Sequence, residues 1–175
     1  TAHELHYTNL LFALDLAGIP LLRKDRTEQD PFIITGGTAV SNPLPIFDFM
    51  DGIFLGDGED GLIEMMEVIA RGKEAGKSRA EILVDLQTVE GLLLPEFYKT
   101  EETQGNPPFL PSPFPAYLGR MVKKRTYRST EYAHLQSIVV PNIEITQDRL
   151  VVEVNRGCAQ SCRFCHAGFW KRPVR

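Results

Sequence analysis

The chain has 175 residues, with 19 lysines and arginines against 23 aspartates and glutamates, a formal net charge of −4, 43% hydrophobic residues and 24% charged ones. That composition belongs to a folded globular protein and excludes a disordered, collagen-like or disulfide-stapled chain. Mild acidity argues against general electrostatic binding to nucleic acid or anionic lipid. The longest apolar runs, such as residues 91–95, fall far short of the roughly 20 residues a membrane span needs.

The first half alternates helical and strand-like segments. Residues 3–18 place Leu5, Leu10, Leu11, Phe12, Leu14 and Leu16 mostly on one broad helical face, and Gly18-Ile19-Pro20 ends that helix by C-cap geometry and a missing amide. Residues 31–35 form a short apolar run before Gly36-Gly37, the pattern of a buried strand entering a tight turn. Residues 42–50 suit a short helix with Asn42 as cap and Pro43 in its first turn. A second buried strand at 52–55 leads into the turn Gly56-Asp57-Gly58-Glu59, followed by an amphipathic helix over 62–76. This order predicts an α/β fold with a parallel sheet whose ligands would lie at the carboxyl ends of the strands.

The second half has a different texture. Ser78 followed by Glu81 is a capping-box signature for a helix over 78–86. Residues 91–98 read as an edge strand, because Pro95 would interrupt a central ladder. Residues 100–115 hold Pro107, Pro108, Pro111, Pro113 and Pro115 and read as an extended linker. A basic run over 120–128 follows, whose plainest reading is a solvated strand face rather than an RNA contact. Residues 137–141 and 150–155 are β-branched runs of strand type.

Chemistry concentrates in the last 25 residues. All three cysteines, Cys158, Cys162 and Cys165, fall within eight residues in the spacing C-x3-C-x2-C after a strand-like run. An odd count at tight spacing fits a metal or cluster in a reducing cytoplasm better than a disulfide framework. Three thiolates can hold one face of a cuboidal iron–sulfur cluster, which four cysteines normally hold; a fourth does not exist in this sequence. One iron would then stay open to another ligand, the mark of a reactive site rather than a closed one. Gly157 lets the backbone turn close to such a cluster, and Phe164 offers an apolar wall. The alternative chemistry is a structural zinc site of Cys3His type formed with His166. Against it, adjacent Cys165 and His166 can hardly both turn toward one tetrahedral ion.

This loop resembles the signature of the radical S-adenosylmethionine superfamily, C-x3-C-x-aromatic-C, at the end of the first strand of a (β/α)-type barrel. The resemblance implies that Cys158, Cys162 and Cys165 bind a [4Fe-4S] cluster and that the open iron chelates S-adenosylmethionine. It also implies that Phe164 lies beside the adenine, and that one electron cleaves the sulfonium to a 5′-deoxyadenosyl radical. An electron donor such as flavodoxin or ferredoxin would be the partner. The stretch from Arg156 to Gly168, with Lys171-Arg-Pro-Val-Arg175, resembles a narrower group of bacterial radical proteins with an N-terminal cobalamin-binding-like domain. That likeness extends over Tyr7-Thr-Asn9, residues 16–20, Gly36-Gly37, Asn42-Pro43 and Gly56-Asp57-Gly58-Glu59. It implies that Gly36, Gly37, Gly56, Asp57, Gly58 and Glu59 line the edge of a nucleotide-tail pocket; by residue pattern alone, residues 56–59 are an ordinary strand-to-helix turn that needs no ligand, with Asp57 and Glu59 favouring the helix N-terminus. The Asp-x-His-x-x-Gly motif that would carry a cobalamin's lower axial histidine is absent.

The resulting expectation has three parts: residues 1–77 as the later part of a Rossmann-like, cobalamin-binding-type sheet; 78–149 as a helix, linker and connector strands; and 150–175 as the first strand and cluster loop of a radical barrel. The chain reads as a segment of a longer enzyme, inactive without the barrel that would follow. Arg172 and Arg175, cations just after the cysteine motif, are candidates by charge and position to meet a carboxylate of substrate or S-adenosylmethionine. The competing class is a non-catalytic α/β binding module with structural zinc.

Overall fold

The computed structural model describes residues 3–102, 109–113, 122–128, 140–146, 149 and 152–175. The chain divides into two units, Thr1–Thr126 and Tyr127–Arg175.

The first unit is α/β, built on a small mixed sheet in the order β1 (Ile34–Gly36), β2 (Gly52–Phe54), β3 (Leu92–Leu93). β1 and β2 are parallel, with Ile34 opposite Gly52 and Gly36 opposite Phe54, whereas β3 runs antiparallel to β2 at the edge. Strand alternation sends successive side chains to opposite faces, and two cores result. Ile53 and Leu93 join Tyr7, Leu14, Val40, Ile46 and Met50 on one face, while Phe54, Leu92 and Leu94 join Met65, Val68, Ile82 and Leu86 on the other. Helix α1 (His6–Leu16) covers the first face; α2 (Glu59–Glu74) and α3 (Arg79–Leu86) cover the second.

Helix α1 departs from the expected single face. Positions 7, 10 and 14 lie on one side of a 3.6-residue period and 5, 12 and 16 on the other; only the first set packs inward, leaving Leu5, Phe12 and Leu16 exposed. The Tyr7 hydroxyl donates toward the Ala39 carbonyl at 2.7 Å, with that of Asn42 at 3.0 Å. Burial, aided by the Glu4 charge, raises its pKa above the usual phenol value. In place of the expected helix over 42–50 there is one short 3-10 turn, Leu44–Ile46, with Pro43 rather than Asn42 at its N-cap, and another 3-10 turn, Thr38–Ser41, precedes it. Pro45 biases Leu44, the residue before it, away from the α region, which works against an α-helix running through this segment.

Helices α1 and α2 end alike. Gly18 and Gly76 donate to Asp15 and Lys73, and Ile19 and Lys77 reach back to Leu14 and Gly72, the paired bonds of a Schellman motif. α3 begins at the expected capping box: Ser78 N–H donates to Glu81 at 2.8 Å, and Glu81 N–H donates to the Ser78 hydroxyl at 3.3 Å. Hydrogen bonds from the Ser78 hydroxyl and N–H hold the Glu81 carboxyl below its ordinary value of 4.5. A depressed native pKa stabilises the fold above the ordinary value, and that contribution is lost as pH falls through the native one. Ser78→Ala is therefore expected to cost about 1 kcal/mol near neutrality in urea unfolding, with the gap to wild type narrowing in acid; an equal gap at both pH values would contradict the reciprocal cap.

A 3-10 turn over Pro95–Phe97 leads into β4 (Tyr98–Glu102), which pairs antiparallel with β5 (Phe109–Pro113). This ribbon replaces the expected linker over much of 100–115. Each strand of a two-stranded ribbon keeps an unpaired edge, where the missing amides of Pro111 and Pro113 need break no ladder bond. Of the later expectations, residues 103–108, 114–121, 129–139 and 150–151 lie outside the described residues, and with them most of the 137–141 run; residues 152–155 are in no strand. Among the described residues, no helix is long and apolar enough to cross a membrane.

Candidate functional site

The parallel pair β1–β2 brings the two glycine turns together. Gly36 ends β1 and Gly37, at φ 101°, opens the 3-10 turn behind it. Gly56, Asp57 and Gly58 follow β2, and Glu59 begins α2, with Glu59 and Asp60 in its first turn, where carboxylates favour the helix dipole. Both turns thus stand at the carboxyl end of neighbouring parallel strands, the ligand edge of open α/β sheets.

At that edge the chain's own backbone makes a close approach. Gly56 forms a parallel bridge with Arg125; Arg125 N–H donates to the Leu55 carbonyl at 2.8 Å, and Asp57 N–H donates to the Arg125 carbonyl at 3.1 Å. Gly56 has φ 125°, and a Cβ there would run into the Arg125 backbone. Gly91, on the neighbouring strand end, would bring a Cβ to 3.0 Å from the Arg125 Cβ. The Arg125 guanidinium pairs with Glu64 of α2. So Arg125 of the expected solvated basic run is clasped against the extension of β2. Beside it lies a cleft of about 340 Å³, bounded by Gly91, Leu92, Phe97, Tyr98, Val122 and Lys123.

At the opposite, amino end of β2, a buried ionic cluster pins the incoming loop. Asp51 Oδ2 lies 2.9 Å from Arg26 Nη1 and 2.8 Å from Arg79 Nη2, and it accepts the Ile33 N–H at 2.7 Å. The Arg26, Asp51 and Arg79 side chains are 0%, 1% and 11% exposed. Arg26 also donates to the carbonyls of Pro20, Leu21 and Phe49, and Arg79 to those of Asp30 and Pro31 while its guanidinium lies 4.2 Å from the Phe32 ring centre. Nearby Asp30 is held below the usual carboxylate range by hydrogen bonds from the Thr27 N–H and hydroxyl. Sequence reading missed both the Arg125 clasp and this cluster.

The second unit carries the cysteines. All three thiols are free, Cys158 and Cys165 half-buried and Cys162 exposed. Arg156 and Arg175 exchange both backbone hydrogen bonds, at 2.6 and 2.9 Å, closing the segment between them into a loop. Gly157, at φ 87°, lies under that closure: a Cβ would sit 2.8 Å from the Pro173 carbonyl oxygen and 2.9 Å from that of Lys171. Its glycine is required by this crossing of the chain on itself. Cys165 caps α4 (His166–Trp170), its sulfur accepting the Gly168 N–H at 3.3 Å. The His166 ring stacks on Trp170 with centres 6.0 Å apart, and Phe164 is 90% exposed. Arg172 turns back onto the cysteine loop. Among the described residues, no three His, Cys, Asp or Glu side chains are gathered to hold a metal ion, so the sulfurs would have to converge when a metal binds. The donor chemistry fits a cluster nonetheless: three free thiols on one short loop, half-buried or exposed, with its ends tied.

The first unit is thus an α/β unit with helices on both sheet faces, and the second carries three free thiols on one loop. A family model described as "Radical SAM proteins, N-terminal" matches residues 1–95, more than half of the chain. The chain belongs to that family and so to the radical S-adenosylmethionine superfamily. The match ends upstream of the cysteines. No curated protein and no solved structure matches the chain.

Proposed function

We propose that this chain is the part of a radical S-adenosylmethionine enzyme that binds a [4Fe-4S] cluster through Cys158, Cys162 and Cys165. The observation that carries the reading is three free thiols at C-x3-C-x2-C spacing, with no fourth cysteine, in a chain of this family. When bound, such a cluster would supply an open iron for the amino and carboxylate groups of S-adenosylmethionine and the one electron needed to cleave its sulfonium bond to methionine and a 5′-deoxyadenosyl radical. The chain's own residues do the holding. Gly157 allows the crossing that closes the loop, Phe164 supplies an exposed aromatic face for the adenine, and the Gly168 N–H gives Cys165 the kind of sulfur hydrogen bond that tunes cluster potential. An external one-electron donor such as flavodoxin or ferredoxin would supply the electron by reducing the cluster beforehand.

On this reading, residues 150–175 open the catalytic barrel, residues 1–77 are the later part of a Rossmann-like, cobalamin-binding-type domain, and 78–149 connect them. Gly36, Gly37, Gly56, Asp57, Gly58 and Glu59 form its nucleotide-facing edge, and the Arg125 clasp sits beside that edge. The missing axial-histidine motif leaves cobalamin without a lower ligand from this chain.

Anaerobic reconstitution with iron and sulfide tests the proposal. About four irons and four sulfides per chain are expected, with a broad visible absorbance that bleaches on reduction. Stoichiometric zinc with no iron uptake would establish the binding-module alternative.

A further inference from the structure

We propose that Arg172 is the positioning residue of the cysteine loop and the cation that sets the reduction potential of the group the loop holds. The inference rests on the cluster reading above and extends it to a side chain outside the cysteine motif. Arg172 Nη2 lies 2.9 Å from the Gln160 carbonyl oxygen and 3.2 Å from the Ser161 hydroxyl. Both acceptors fall inside the three-residue span between Cys158 and Cys162. The guanidinium is also seated over the Phe169 ring of α4, 4.5 Å from its centre.

One planar cation therefore ties the midpoint of the cysteine loop to the helix that Cys165 caps. The backbone pair between Arg156 and Arg175 fixes the loop's two ends, and without Arg172 the Ala159-Gln160-Ser161 span would lose the two hydrogen bonds that tie it to the residues after α4. Three thiols that must converge lose less conformational freedom on binding if the span joining two of them is already held. A lysine can supply charge here but not the fork with which a guanidinium bonds and stacks at once.

The charge has a separate consequence. Reduction adds an electron to a group already surrounded by thiolates. A fixed cation at the loop stabilises the reduced form relative to the oxidised one and raises the potential. Positioning and charge thus separate in two variants of the full chain.

After anaerobic reconstitution, Arg172→Gln is expected to release iron to a chelator about tenfold faster than wild type, and to show a more negative midpoint potential in a redox titration followed by absorbance or electron paramagnetic resonance. Arg172→Lys is expected to release iron faster as well, while its potential returns toward the wild-type value. An Arg172→Gln chain that retains iron like wild type, or that loads iron with an unchanged potential, overturns the proposal while leaving the cluster reading intact. A wild-type chain that takes up no iron removes both.

Discussion

Asp51→Ala is expected to destabilise the first unit by about 3–5 kcal/mol, measured as a lowered urea midpoint by far-ultraviolet circular dichroism. The carboxylate is 1% exposed and two guanidinium groups and one backbone amide converge on its Oδ2. Its removal strands the fully buried Arg26 and leaves Arg79 without its counter-ion, and an uncompensated buried charge costs more than the lost pair was worth. Against a typical total stability of about 5–15 kcal/mol, that loss threatens the fold itself.

Asp51→Asn refines the test. It keeps the shape and an acceptor oxygen for the Ile33 amide but leaves two cations without a counter-charge, so it is expected to fall between wild type and Asp51→Ala. A loss below about 1 kcal/mol for the alanine variant would place this cluster among the weak surface pairs and contradict its burial. The cluster's place explains its importance. Asp51 directly precedes β2, and Arg26 and Arg79 tie loop 20–33 and the start of α3 to that strand. The same strand carries Gly56-Asp57-Gly58-Glu59 at its other end. Loosening the amino end of β2 therefore loosens the base on which the candidate edge stands.

Local signals made α1, α2 and α3 legible. The Ser78–Glu81 box starts α3 where the sequence places it, and glycines at 18 and 76 stop α1 and α2. The strands at 34–36 and 52–54 follow from short apolar runs ending in glycine turns. Long-range pairing was not legible. Nothing near Arg26 signals Asp51, and nothing in a basic run signals that Arg125 bridges to Gly56; these partners meet only because the sheet brings them together. Helix α1 misled because leucines on opposite faces count equally toward an apolar segment. The 100–115 segment misled because proline marks a linker unless it falls on a free strand edge. Cysteine spacing, by contrast, is chemistry written locally, since a cluster's ligands need only a short loop between them.

Cys162→Ala is expected to abolish iron loading, from about four irons per chain to background after anaerobic reconstitution and desalting. The sequence offers no replacement cysteine, so the variant has two thiols for a group that already lacks its fourth protein ligand. Cys162 is also the exposed member of the trio, so its replacement empties no packed core and the folded content of the chain should be unchanged by circular dichroism. His166→Ala supplies the counter-test. A Cys3His zinc site would lose one of four ligands and bind its ion more weakly, whereas a cluster held by three sulfurs should load to the wild-type level without this imidazole, which lies stacked on Trp170. Wild-type iron in His166→Ala together with none in Cys162→Ala selects the three-sulfur site. Iron retained by Cys162→Ala, or lost from a folded His166→Ala, would contradict it. In the wild-type chain the open iron should respond to added S-adenosylmethionine by a changed electron paramagnetic resonance spectrum of the reduced sample, since a vacant coordination position accepts a chelating ligand that a fully sulfur-ligated cluster refuses.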